Sequence, residues 1–185
     1  MAGELNGLRV AILAASGVEQ VELEQPRRTV TDAGATATLI SVEDGPIQAM
    51  NSDINKGDTF DVDAQIGDVR ADDFDALILP GGTCNPDTLR QNSDVLGFVQ
   101  EIMGANKPVA AICHAPWTLV EADVVRGRRL TSYPSLRTDI RNAGGTVVDE
   151  QVVVDGNLIT SRNPNDLEAF NAAIVQQFAT VPAGR

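Results

Sequence analysis

Lys107-Pro108-Val109-Ala110-Ala111-Ile112-Cys113-His114-Ala115-Pro116 strings together a turn signal, four apolar residues, a thiol, an imidazole and a second proline. The four apolar residues read as a short buried strand bounded by Lys107-Pro108. Pro116 suits the first turn of a helix, because its ring already holds φ near the helical value. Trp117, Leu119, Val120 and Ala122 continue that helix. Cys113 therefore stands on the turn itself, with N–H groups of the new helix near its sulfur, a field that favours thiolate over thiol. A nucleophile on a sharp strand-to-helix turn is the elbow geometry of many hydrolases, whose usual signature is G-x-S-x-G. Taken alone, a cysteine ending an apolar strand reads as a small buried hydrophobe. Its place at the very end of the strand, beside the only histidine of the chain, His114, makes it a candidate nucleophile.

The rest of the chain supplies the setting for such a turn. Its 185 residues are 43% hydrophobic, which suits one soluble domain with a sizeable core. No run approaches the roughly 18 apolar residues of a membrane span. Met1-Ala2-Gly3-Glu4 lacks the basic and apolar regions of a signal peptide, so a cytoplasmic location is expected. There Cys84 and Cys113, the two cysteines, are free thiols. A net charge of −12 argues against nucleic acid and anionic membranes as partners. Two cysteines and one histidine fall short of a metal cage, so no metal and no cofactor are expected.

Leu8–Ala14 is a near-continuous apolar run of the kind found in parallel strands covered on both faces. A helix is expected from about Val18-Glu19 to Ala33, kinked or restarted at Pro26 and ended by Gly34. Ala37–Val42 is a second, β-branched strand. Residues 43–66 are polar and irregular, with Ile47–Met50 and Phe60–Asp63 alternating as a small antiparallel pair. Gly67–Asp73 reads as a loop or short helical turn, and Asp75–Pro80 as a buried strand closed by Gly81-Gly82. One or two helices lead to Asn106, ahead of the Cys113 strand. A short strand at 128–132, a short helix at 135–143 and strands meeting at Asp155-Gly156 follow. The last helix spans Asn165–Ala179, and residues 182–185 read as frayed. Strands alternating with helices give an α/β fold with a mostly parallel sheet and helices on both faces.

Ligands of open α/β sheets bind outside the carboxyl ends of the strands. Three candidates stand at such ends: Glu19, Gly81-Gly82 and Cys113. Cys113 is the nucleophile by type. The N–H groups of Gly82 and His114 suit an oxyanion hole. Glu19 suits a carboxyl group that bonds the sulfur or moves a proton. Glu22, one helical turn on, reads as a surface charge. His114 is harder to place, because adjacent residues on a tight turn tend to point apart. Cys84 follows the glycine turn and is a candidate redox partner that would trap an oxidised Cys113 as a disulfide.

Five pieces, in order and spacing, resemble the PfpI/ThiJ family, related in fold to class I glutamine amidotransferases: Gly17–Leu23, Leu79–Gly82, Ala111–Pro116, Thr131–Ser135 and Val152–Asn157. The resemblance implies a flavodoxin-like three-layer sandwich in one domain over residues 1–185. It implies Cys113 as nucleophile, His114 as its partner, Glu19 as a protonated carboxyl touching the sulfur, Gly81 and Gly82 at the oxyanion site, and Tyr133 lining the pocket. It implies a homodimer or a higher homo-oligomer. The implied activity is that of a stress-related cysteine enzyme acting on reactive aldehydes or glycated proteins and peptides. An intracellular cysteine peptidase and a non-enzymatic redox-sensing stress protein are the alternatives.

Overall fold

The computed structural model describes residues 3–182, so the reading of residues 183–185 as frayed lies outside the described residues. The strands are β1 (Arg9–Leu13), β2 (Thr36–Ser41), β3 (Ile47–Asn51), β4 (Asn55–Phe60), β5 (Ala64–Gln65), β6 (Ala76–Leu79), β7 (Val109–Ile112), β8 (Arg129–Leu130), β9 (Thr146–Val147), β10 (Val152–Asp155) and β11 (Leu158–Ser161). The helices are α1 (Gln20–Asp32), α2 (Cys84–Leu89), α3 (Ser93–Gly104), α4 (Pro116–Glu121), α5 (Arg137–Asn142) and α6 (Leu167–Phe178). Seven strands form the central sheet in the order β10-β11-β7-β6-β1-β2-β5. Every neighbouring pair is parallel except β10 and β11.

Successive residues of a strand face opposite sides of a sheet, and β1 shows the consequence. Val10 and Ile12 pack with Leu23 and Val30 of α1 and with Phe170, Ile174 and Phe178 of α6. Ala11 and Leu13 pack on the other face with Val95, Phe98, Val99 and Ile102 of α3 and with Leu119 of α4. Both faces are covered, which is why the strand has no polar position to alternate with. The flavodoxin-like three-layer arrangement is thus present. Among the described residues no helix is long and apolar enough to cross a membrane.

Two expectations need correction. Helix α1 runs unbroken across Pro26, which is buried on the same face as Leu23 and Val30. Only the bond that a residue-26 N–H would have made is lost. The antiparallel pair within 43–66 exists, but β3 pairs with Asn55–Phe60, not with a strand beginning at Phe60. Its polar pattern hid the second strand, since β4 lies largely in solvent. Residues Ala64–Gln65 then add an edge strand to the main sheet, beside β2.

Strands β1, β6 and β7 are immediate neighbours. Their carboxyl ends therefore bring residues 16–19, 80–82 and 113 to one place on the sheet edge. Phe170 is fully buried in the α1/α6 layer that backs this edge. Phe170→Ala is expected to lower stability by about 3–5 kcal/mol, the usual cost of an unfilled aromatic site. A urea unfolding curve with a reduced midpoint and an unchanged slope checks it.

Candidate active site

Cys113 sits at φ 64°, a left-handed conformation that is uncommon for a residue with a Cβ. The backbone is held there from both sides. Its N–H donates to Ser161 O of β11 at 3.1 Å, and its carbonyl accepts from Tyr133 N–H at 2.9 Å. The chain reverses at once, with Ala115 N–H donating to Ile112 O at 3.0 Å. The result is a strained elbow that turns the side chain off the end of β7. The thiol is 5% exposed.

The adjacent imidazole does reach it. His114 Nδ1 lies 3.1 Å from Cys113 Sγ, and Nε2 lies 3.2 Å from Ser135 Oγ. The left-handed turn removes the divergence expected of neighbours on an ordinary turn. The ring stacks on Tyr133, with centroids 4.4 Å apart at 25°, and tilts against Trp117 at 5.4 Å. Burial lowers the His114 pKa, so the imidazole is neutral at pH 7 and free to accept a proton. Tyr133 is 39% exposed and lines the mouth of the site.

The carboxyl group at the sulfur is not Glu19. Glu19 is the residue before α1, in extended conformation, and its carboxylate accepts the N–H groups of Ser52 and Asp53. Glu22 is fully buried, and its carboxyl lies beside Cys113. Its Oε2 accepts Gly81 N–H at 3.0 Å, while Oε1 has no hydrogen-bond partner. Glu22, Pro26 and Val30 share the buried face of α1 at four-residue spacing. That periodicity was the available signal that Glu22 faces inward, and the reading of it as a surface charge is overturned.

Burial raises the Glu22 pKa to about 8, with the nearby Glu19 charge adding to the effect. The carboxyl is therefore protonated at neutral pH. Burial also pushes the Cys113 thiol up, and an ionised Glu22 pushes it further. The N–H groups of Gly82 and His114 point at the sulfur and oppose this. So the elbow alone does not make a thiolate, as the sequence suggested; desolvation outweighs it. A protonated Glu22 removes the repulsive charge and supplies a donor.

The glycine pair is required by contact. A Cβ on Gly81 would run into Glu22 Oε2 and would lie 2.6 Å from Cys113 Cβ. Gly82 sits at φ 81°. The Gly81 amide is engaged by Glu22, whereas the N–H groups of Gly82 and His114 are the ones directed at the sulfur. Cys84 is exposed at the start of α2, against Gly17, and both cysteines are free thiols. Asp53, at the tip between β3 and β4, escaped notice in the sequence because its segment has no motif. Its carboxylate nevertheless acts on Cys113, Glu22 and His114 together.

A strained cysteine elbow on this sheet, with a buried acid behind it, defines a class of protein with a buried thiol on the strand-to-helix turn of a flavodoxin-like frame. The model of the DJ-1/PfpI family matches residues 8–177, and the chain belongs to that family. It is 41% identical to a deglycase of Pyrococcus abyssi over 91% of this chain and 98% of that one. It is 39% identical to YraA of Bacillus subtilis, named provisionally as a cysteine protease, over 88% of this chain and 94% of the other. The solved structure of Drosophila melanogaster DJ-1beta superposes with a TM-score of 0.83 at 30% identity, covering 94% of this chain and 91% of that one.

The Glu22 proton has a consequence for stability. In the unfolded chain the carboxyl titrates near 4.5, and in the fold near 8. Between these values the native state holds one more proton, so stability falls as pH rises. Glu22→Gln, neutral at every pH, lacks this decline. The wild-type stability minus that of the variant is expected to drop by a few kcal/mol from about pH 5 to pH 8, at roughly 1.4 kcal/mol per pKa unit, and then level off. Urea unfolding at a series of pH values measures it.

Proposed function

We propose that this protein is a cysteine-dependent enzyme acting on reactive aldehydes and on the adducts they form with proteins. The observation that carries the reading is the convergence on one sulfur of His114 Nδ1 at 3.1 Å, the Glu22 carboxyl and the N–H groups of Gly82 and His114. That set provides a nucleophile, a base, an acid and an oxyanion site. With Cys113 5% exposed, a small carbonyl group fits the approach better than an extended peptide.

With a 2-oxoaldehyde such as methylglyoxal, the Cys113 sulfur attacks the aldehyde carbon and the thiol proton passes to His114. The carbonyl π pair moves to oxygen, which faces the Gly82 and His114 amides and takes up a proton to give a hemithioacetal. A base removes the hydrogen from that carbon, and a proton returns at the neighbouring carbon through an enediol. The product is a thioester of the 2-hydroxy acid, with no net oxidation or reduction. Water then cleaves the S–C bond, releasing lactate and the thiol. With the hemiaminal adduct of a lysine or arginine side chain, the sulfur forms the same S–C bond as the C–N bond breaks, and the nitrogen leaves with the proton carried by His114, giving the same hemithioacetal.

The likeness to YraA supports a second reading as a peptidase, which uses the same cysteine and histidine. In either reading the chain needs no cofactor and works in the reducing cytoplasm, and it assembles as a homodimer or higher homo-oligomer, as its family resemblance implies. Lactate formation from methylglyoxal tests the first reading. The native protein is expected to turn over, Cys113→Ala to lose all activity, and Glu22→Gln to lose about a hundredfold or more, the range for a positioned proton donor. Glu19→Gln is expected to cost less than Glu22→Gln. Absence of lactate together with cleavage of casein supports the peptidase. Absence of both, with rapid peroxide oxidation of Cys113, supports a redox sensor.

A further inference from the structure

We propose that Glu19, Asp53 and Thr83 form a clasp that ties the tip of the β3–β4 hairpin to the elbow and sets the position of the Gly82 amide. The three are positioning residues for Cys113. The part of the proposal that concerns turnover rests on the aldehyde reading above; the part that concerns the thiol does not.

The clasp is a closed circuit of hydrogen bonds. Glu19 Oε1 accepts Ser52 N–H at 2.9 Å and Oε2 accepts Asp53 N–H at 3.2 Å. Ser52 and Asp53 are at φ 56° and 61°, two successive left-handed residues with side chains. Such a conformation persists only where its surroundings impose it. Here it turns two consecutive N–H groups toward one carboxylate. The Asp53 carboxylate in turn accepts Thr83 N–H at 2.8 Å and Thr83 Oγ1–H at 2.9 Å. Thr83 is bonded to Gly82, whose N–H points at the Cys113 sulfur. The circuit closes where Glu19 N–H donates to Gly81 O at 3.3 Å. Peptides 81–83 are therefore gripped at one end by the residue before α1 and at the other by the hairpin tip.

The alternative role for Asp53 is electrostatic, and it runs the wrong way. The titratable groups facing the sulfur are Glu22 on α1, His114 on the elbow and Asp53 on the hairpin tip. A carboxylate at the tip disfavours the thiolate. Its presence is intelligible if the fold needs its two acceptors, which hold a backbone amide and a hydroxyl at once. The assignment also gives Glu19 a purpose, since it sits one turn from the sulfur yet turns away from it.

The test uses the Cys84→Ser protein, so that Cys113 is the one thiol read. The rate of alkylation by iodoacetamide is followed against pH, and methylglyoxal turnover is measured beside it. Thr83→Val removes a hydroxyl without changing charge. It is expected to move the alkylation midpoint to higher pH and to lower kcat about tenfold, with KM within about twofold, as partial misplacement of one oxyanion donor should. Thr83→Ser, which keeps the hydroxyl, is expected to restore both. Glu19→Gln, a second break in the circuit, is expected to shift the midpoint in the same direction. Unfolding curves on each variant confirm that the fold is intact. A Thr83→Val profile that matches the parent, or moves to lower pH, overturns the clasp. If the parent makes no lactate, the aldehyde reading fails, and the alkylation profile alone still decides the clasp.

Discussion

A carboxyl group buried without an ion-pair partner is the constraint around which the site is arranged. An ionised Glu22 at zero exposure would carry a penalty of several kcal/mol. The fold avoids it by keeping the group protonated and giving it Gly81 N–H and the Cys113 sulfur as neighbours. The consequences spread outward from that contact. Residue 81 has no room for a Cβ. Cys113 has to leave the strand in a left-handed turn to bring its sulfur into the same space. Strands β1, β6 and β7 have to be neighbours so that α1, the glycine turn and the elbow meet.

Chemically, a neutral acid is the useful neighbour for this thiol. An ionised one would repel the thiolate across a dry contact, whereas a protonated one donates to it. His114 complements this, because burial keeps it neutral and places Nδ1 beside the sulfur. Ser135 at Nε2 and the stacked Tyr133 ring fix the plane of the imidazole. The Glu22 carboxyl and the His114 imidazole thus approach the sulfur from different elements.

The two glutamates that flank the start of α1 show how one turn of chain divides two tasks. Glu19 ends the extended segment and reaches the hairpin; Glu22 begins the helix and reaches the interior. Three residues separate them, which on a continuous helix would put both on one face. They diverge because Glu19 is not yet helical. The hairpin, which has no counterpart in the central sheet, is thereby joined to the nucleophile's surroundings.

The apolar runs at 8–14, 75–80 and 109–112 read as buried strands, and the end of the last one placed Cys113 on a strand-to-helix turn. The covering of both sheet faces by helices was legible because burial on both faces leaves a continuous hydrophobic signature, and the elbow because Pro116 opens a helix directly after Cys113. The choice between Glu19 and Glu22 was legible only in the four-residue spacing of Glu22, Pro26 and Val30; it also depends on the residue at which α1 begins, and helix ends are the least sharply defined part of the local pattern. The parts played by Asp53 and Thr83 were further out of reach. They are 30 residues apart and meet only through the folding of a polar hairpin over the sheet edge. Periodicity and residue type determined which elements form and where the thiol stands. Tertiary packing alone decided which carboxyl is dry enough to keep its proton, because desolvation is a property of the assembled site and not of the chain.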